Sequence, residues 1–177
     1  SDVSRYDLGG AAEATQGSGA VAMLISAKPA IIEIDLASGC HSEDIMDFWR
    51  PNYRKTPLVD GKYSALKYLQ SLGHACADYQ VNGGRDFLDF AQFCYHLPFS
   101  RMGEKAHRHL ASLNGAKVDA DKINPGLAYS RQIGNCYSAA LYLSLISALE
   151  STDQDLTDKP IALFSYGSGA VAEFFSG

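Results

Sequence analysis

Gly17-Ser18-Gly19-Ala20-Val21-Ala22 recurs letter for letter as Gly167-Ser168-Gly169-Ala170-Val171-Ala172, close to the other end of the chain. Each copy leads into an apolar run, Met23 to Ile25 in the first case and Phe174-Phe175 in the second. Glycine enters left-handed backbone conformations without steric cost, so one reading is a glycine turn reused between pairs of strands. The other is a duplicated fold whose two halves keep the same turn in the same place.

Working outward, the residues between the copies make roughly one α/β unit. Ala20 to Ile25 and Ala30 to Ile34 read as two strands joined across Lys28-Pro29. Asp35 to Thr56 is mixed and loop-like, with Trp49-Arg50-Pro51 in its middle. Ser64 to Tyr79 carries Leu66, Leu69, Leu72, Ala75 and Ala77 at spacings acceptable for an amphipathic helix. Asp86 to Phe93 reads as a short helix running into a strand that ends near His96, and Gly103 to Leu113 as a polar helix. Asn135 to Glu150 is apolar on nearly every face, so it is expected to need neighbours all round, some of them outside this chain. Ile161 to Tyr166 and Ala170 to Phe175 read as paired strands. Helices alternating with strands predict α/β layering.

Composition narrows the function classes. The chain has 177 residues, 46% of them apolar and 20% charged, with a formal net charge of -5. That is enough apolar material for a sizeable core. With no long Lys/Arg run, nucleic acid is not an expected partner. The longest apolar-rich stretch, Tyr137 to Leu149, is shorter than the ~20 residues of a membrane span, and no basic region followed by an apolar one opens the chain. Cys40, Cys76, Cys94 and Cys136 are widely spread with no CxxC pair, which predicts free thiols in a reducing compartment. The first residue is Ser1 rather than Met, as expected of processing or of a fragment.

Several arrangements bear on chemistry. Gly17-x-Gly19-x-x-Ala22 with Glu33 and Asp35 beyond it has the spacing of a dinucleotide fingerprint, but no strand precedes Gly17 and Pro29 leaves little room for a crossover helix. Ser168 is flanked by Tyr166 and Ala170 where a hydrolase elbow needs glycines. His107 and His109 are two apart and diverge on a helix, so no metal site is expected. His96 follows Phe93-Cys94-Tyr95 and precedes Pro98, which fixes the chain just after it. It reads either as a positioned proton-transfer group or as a core histidine bonded to backbone. Asn135 is either a helix cap or an amide donor aimed at a substrate oxygen. Ser168 is either a turn residue or part of an oxyanion-binding turn. Taken together, these three match what stabilising charge and moving protons at a thioester carbonyl requires.

His96-Leu97-Pro98-Phe99-Ser100-Arg101-Met102-Gly103, Gly134-Asn135-Cys136-Tyr137-Ser138 and Phe164-Ser165-Tyr166-Gly167-Ser168-Gly169-Ala170-Val171 resemble the bacterial 3-hydroxy-3-methylglutaryl-CoA (HMG-CoA) synthase family. So do Asp47-Phe48-Trp49-Arg50-Pro51, Leu58-Val59-Asp60-Gly61 and Glu13-Ala14-Thr15-Gln16-Gly17-Ser18-Gly19-Ala20. The resemblance runs over almost the whole chain. It implies the thiolase fold of two similar α/β halves, which accounts for the repeated turn. Residues 1–35 would be the end of the first half, and residues 36–177 a C-terminal half cut short at its end.

The resemblance further implies an acyltransferase that condenses acetyl-CoA with acetoacetyl-CoA in a Claisen-type reaction of the mevalonate pathway, leading to isoprenoids. The substrates are CoA thioesters and no other cofactor is implied; the setting is cytoplasmic and the enzyme dimeric. His96 matches the histidine that binds and polarises the acetoacetyl group. Asn135 matches the amide donor and Ser168 the serine near the thioester. Tyr6, Thr15 and Pro98 match substrate-binding positions, and Arg101 and Lys105 the basic residues that hold the CoA phosphates. Arg101 stands where relatives often have Lys, and the two are not equivalent. The family's nucleophilic Cys and its Glu base fall before the position of Tyr6, so this chain alone is expected to be inactive, with the rest of its polypeptide as a partner. A relative acting on carrier-protein substrates in polyketide β-branching, and a non-catalytic thiolase-like binding module, are the alternatives.

Overall fold

The computed structural model describes residues 6–10 and 12–177. Its centre is a four-stranded sheet in the order β1-β6-β5-β4. The strands are β1 (Ser38–Ser42), β4 (Gln92–Tyr95), β5 (Ile161–Gly167) and β6 (Val171–Ser176). β4 and β5 run parallel, with Tyr95 opposite Phe164, while β6 is antiparallel to both β5 and β1. A second, two-stranded ladder pairs β2 (Phe48–Trp49) with β3 (Leu58–Val59).

Both faces of the sheet are covered, and the period of two along each strand shows how. Phe93, Tyr95, Ala162, Phe164, Tyr166 and Phe174 point to one face, where they meet Tyr68, Leu72, Ala75 and Tyr79 of α1 (Gly61–Val81) and Ala106 and Leu110 of α2 (Ser100–Leu113). Cys94, Ile161 and Leu163 point to the other, against Leu141, Leu145 and Ala148 of α4 (Ala140–Ser151). Strands buried on both faces are continuous apolar runs rather than alternating ones, as Phe93-Cys94-Tyr95 of β4 and Ile161-Ala162-Leu163-Phe164 of β5 are. α3 (Asn124–Ile133) packs along α4.

Local chemistry sets the helix ends. Asp60 caps α1 by accepting the Tyr63 amide at 3.0 Å. α2 starts directly after the extended Phe99, and α3 carries Pro125 in its first turn, where its missing N–H is no loss. Among the described residues no helix is long and apolar enough to cross a membrane.

The structure departs from the expectations in four places. Ala20 to Ile25 and Ala30 to Ile34 pair in no ladder among the described residues, the second segment bends at Ala30 and Ile31, and Leu24 is 95% exposed. Their apolar sequence is that of a buried strand, and Ile32 does pack against the cluster under α4 while the Asp35 N–H donates to the Ser176 carbonyl at 2.9 Å, but no ladder forms among the described residues. The stretch read as loop-like contains β1, whose residues Ser38-Gly39-Cys40-His41-Ser42 have little strand propensity and owe their place to pairing with β6. Residues Asn124–Ile133, for which the sequence pattern predicts no element, form α3. The helix expected from Asn135 begins later, with a 3-10 turn at Tyr137–Ala139 and α4 from Ala140, so Asn135 is not its cap.

Candidate active site

His96 and Ser168 lie at the same edge of the sheet. His96 is the first residue past β4, and its N–H donates to the Phe164 carbonyl of β5 at 2.7 Å, extending the parallel ladder by one bond. Ser168 is in the turn that follows β5. Both therefore sit outside the carboxyl ends of parallel strands, where α/β sheets bind ligands.

His96 is half-buried, and its carbonyl accepts the Tyr68 hydroxyl at 2.8 Å. Burial pulls the imidazole from its ordinary 6.5 down to about 4, so it is neutral at pH 7. A neutral imidazole offers one N–H donor and one acceptor, enough to polarise a carbonyl and to pass a proton. Half-buried Pro98 lies two residues on, and α2 then starts with the Met102 N–H donating to the Phe99 carbonyl at 2.9 Å. Arg101 and Lys105 project exposed from the first turns of α2, and the Lys105 ammonium lies 5.8 Å from the Phe99 ring centroid. This places positive charge directly beyond the histidine.

The Gly-Ser-Gly turn is held by a residue to which the sequence reading gave no role. Asp47 is 0% exposed, and its carboxylate accepts the Gly169 amide at 3.0 Å, the Tyr166 hydroxyl at 3.0 Å and the Ser64 hydroxyl at 2.9 Å. The segment before it completes the strap: Ile45 donates to the Gly169 carbonyl at 2.9 Å and Glu43 to the Ala170 carbonyl at 3.0 Å. Burial, and then the Asp47 charge, push the Tyr166 phenol well above its ordinary range, with the Ser168 hydroxyl acting in the other direction. Tyr166 lies 5.1 Å from Tyr68, ring centroid to centroid, so the contacts run from the Ser168 turn through Tyr166 and Tyr68 to His96. The signal available in the sequence was a lone acid among apolar residues, Ile45-Met46-Asp47-Phe48-Trp49.

Asn135 lies in the loop between α3 and the 3-10 turn at Tyr137–Ala139. Its backbone bridges the segment before the first glycine turn: its N–H donates to Thr15 at 2.8 Å, and its carbonyl accepts Gly17 at 2.9 Å. The approach leaves no room for side chains. A Cβ on Gly17 would stand 2.2 Å from the Ile133 carbonyl oxygen, and one on Gly134 2.9 Å from that of Gln16. The Asn135 Oδ1 accepts the Tyr137 amide at 2.8 Å. Thr15 turns its hydroxyl onto the Ala12 carbonyl at 2.9 Å. Tyr6, half-buried, has its hydroxyl 3.2 Å from that of Tyr137 and its ring 6.2 Å from Phe48, the neighbour of Asp47. Through these contacts Tyr6, Thr15 and Asn135 form one group that meets the strap of the Ser168 turn at Phe48.

Other groups are occupied elsewhere. Asp35, the acid of the dinucleotide-like spacing, holds Arg85 through two bonds of 2.8 and 3.0 Å and accepts Ser176 at 2.6 Å. The guanidinium, helped by Ser176, lowers its carboxyl below the usual range against the opposing effect of burial. His107 is buried among Phe87, Phe93 and Tyr95. None of the four thiols is in a disulfide, and burial raises Cys76 to about 11 and Cys94 to about 12. Cys40 and Cys136 are raised as well, chiefly by burial, so none is an activated nucleophile.

Comparisons with known proteins bear on the family and the fold of the chain. The family model described as Hydroxymethylglutaryl-coenzyme A synthase C terminal matches residues 112–177. A hydroxymethylglutaryl-CoA synthase from Enterococcus faecalis is 40% identical over 181 residues, covering 99% of this chain and 47% of that protein. A polyketide biosynthesis 3-hydroxy-3-methylglutaryl-ACP synthase from Bacillus subtilis is 35% identical, covering 94% of this chain and 41% of its own. A crystal structure of HMG-CoA synthase complexed with CoA superimposes with a TM-score of 0.89 at 41% identity, over 99% of this chain and 46% of that one. The fold is thus the α/β, thiolase-like one of these enzymes, and the chain spans about half the length of the curated relatives it matches. The chain belongs to the hydroxymethylglutaryl-CoA synthase family.

Proposed function

We propose that this chain works as the C-terminal half of a hydroxymethylglutaryl-CoA synthase, an acyltransferase that condenses acetyl-CoA with acetoacetyl-CoA to HMG-CoA. Residues 36–177 would form that half and residues 1–35 the end of the first. The observation that carries the reading is the placement of a neutral His96 and the Ser168 turn at one sheet edge, with Arg101 and Lys105 just beyond.

In the reaction, a cysteine of the first half takes the acetyl group from acetyl-CoA and CoA leaves. A glutamate of the first half removes a methyl proton from the acetyl thioester, and the carbanion adds to the C3 ketone of acetoacetyl-CoA. His96 donates a hydrogen bond to that ketone oxygen and stabilises the charge that develops on it; the oxygen then takes a proton. Asn135 presents its amide NH2 to a thioester oxygen, and the Ser168 turn offers its hydroxyl and backbone amides beside the thioester. Tyr6, Thr15 and Pro98 line the approach. Arg101 and Lys105 hold the CoA phosphates, a charge-assisted contact. Water then hydrolyses the enzyme thioester, freeing HMG-CoA and the cysteine. The half-covered side of α4, with Tyr142, Leu143 and Ile146 partly exposed, supports a neighbouring first half. A cytoplasmic homodimer feeding the mevalonate pathway completes the reading.

The identities lean towards CoA over a carrier protein, 40% against 35%. The test is a CoA-release assay on the full-length enzyme, followed by mass identification of HMG-CoA. Product formed only when acetyl groups are delivered on a carrier protein would replace the CoA reading with the polyketide one. No product from either donor would leave a binding module.

A further inference from the structure

Tyr137 stands two residues past Asn135 with its backbone in the left-handed region, at φ 52°. Residues other than glycine adopt that conformation only where their surroundings impose it. Here it turns the Tyr137 N–H back onto the Asn135 Oδ1 at 2.8 Å. A carboxamide whose oxygen accepts from an N–H presents its NH2 on the opposite side, so this one bond decides which end of Asn135 is available to a ligand. The Tyr137 phenol, meanwhile, donates to Gln16 Oε1 and lies 3.2 Å from the Tyr6 hydroxyl. Gln16 is itself fixed, its amide donating to the Ala12 carbonyl at 3.0 Å and to Thr15 Oγ1 at 3.3 Å. One side chain therefore joins the start of the α4 region to the segment ahead of β1, and its own backbone aims the asparagine between them.

We propose that Tyr137 is a positioning residue for the condensation, acting through Asn135: its N–H sets the amide with NH2 towards the substrate, and its phenol fixes that turn against Gln16 and Tyr6. The inference rests on the donor role proposed above for Asn135.

The experiment is steady-state condensation by the full-length enzyme carrying Tyr137→Phe, Asn135→Ala, both together, or Gln16→Met. Rates are expressed per site titrated by acetylation, so loss of folded protein does not imitate the effect. Misplacing a catalytic group by about 1 Å can cost on the order of a hundredfold, so Tyr137→Phe, which keeps the ring and the backbone, is expected to lower kcat roughly tenfold at unchanged KM for acetoacetyl-CoA. Gln16→Met, which removes the acceptor from the other end, is expected to act in the same direction. The double variant should be no slower than Asn135→Ala alone, because a donor already absent cannot be misaimed. Losses that multiply in the double variant, or a wild-type kcat in Tyr137→Phe, would overturn the assignment of Tyr137. A wild-type rate in Asn135→Ala would instead overturn the donor role on which it rests.

Discussion

The carboxylate of Asp47 accepts the backbone amide of Gly169 at 3.0 Å across 122 residues of sequence. Its other acceptor sites take the hydroxyls of Tyr166 and Ser64. One buried acid thereby fixes the turn that carries Ser168 to the helix that carries Tyr68, the residue bonded to the His96 carbonyl.

Removing that acid should loosen the turn before anything else. Asp47→Ala leaves three donors without an acceptor in a water-poor place, at about 1 kcal/mol or more each, so the chain should lose about 3 kcal/mol of stability in urea unfolding. Amide exchange at Gly169 should rise with it. A loss below about 0.5 kcal/mol, or unchanged exchange at Gly169, would contradict the anchoring role.

Much of this could be read in the sequence, and the failures share a cause. The β5–turn–β6 hairpin, the strand ending at His96 and helix α1 all follow from patterns within a dozen residues or so, where apolar spacing and turn chemistry act. Asp47 was visible only as a letter in a family-like block, because its meaning depends on Gly169 and Tyr166, far along the chain. β1 was missed for the same reason: Cys40 and His41 become strand residues because Glu173 and Ala172 lie opposite them. Residues 20–34 failed in the reverse sense, having strand sequence but no ladder partner among the described residues. Asn135 reads in the sequence as the opening of a helix, and its bond to Tyr137 in place of a helix cap depends on a left-handed backbone that apolar periodicity cannot show.

Stability should fall on mild acidification. Burial lowers both His96 and His107 from 6.5 to about 4 in the folded chain. Between those values the unfolded chain binds protons that the folded chain refuses, so the contribution of neutral imidazoles is full above pH 6.5 and declines as pH falls towards 4. Urea midpoints at pH 7 and pH 5 check this, because in that window the ordinary carboxylates are still largely ionised. Equal midpoints would contradict the burial of both rings, and proton uptake on unfolding at pH 5 should approach two.

The cations beyond His96 should govern affinity rather than chemistry. In the full-length enzyme, Arg101→Ala or Lys105→Ala should raise KM for the CoA thioester about tenfold, with kcat little changed, since each removes a charge-assisted contact. Added salt should weaken wild-type binding and have less effect on the double variant. An unchanged KM with CoA substrates would show that these side chains do not hold its phosphates.

The role proposed for His96 is to serve the second substrate and not the first. Its most direct test is to incubate the full-length His96→Ala enzyme with acetyl-CoA and weigh the protein, then add acetoacetyl-CoA and follow HMG-CoA. Normal acetylation is expected, seen as one acetyl mass per chain, with condensation slowed by a factor on the order of a hundred or more. Equal loss in both steps, or condensation at the wild-type rate, would contradict it.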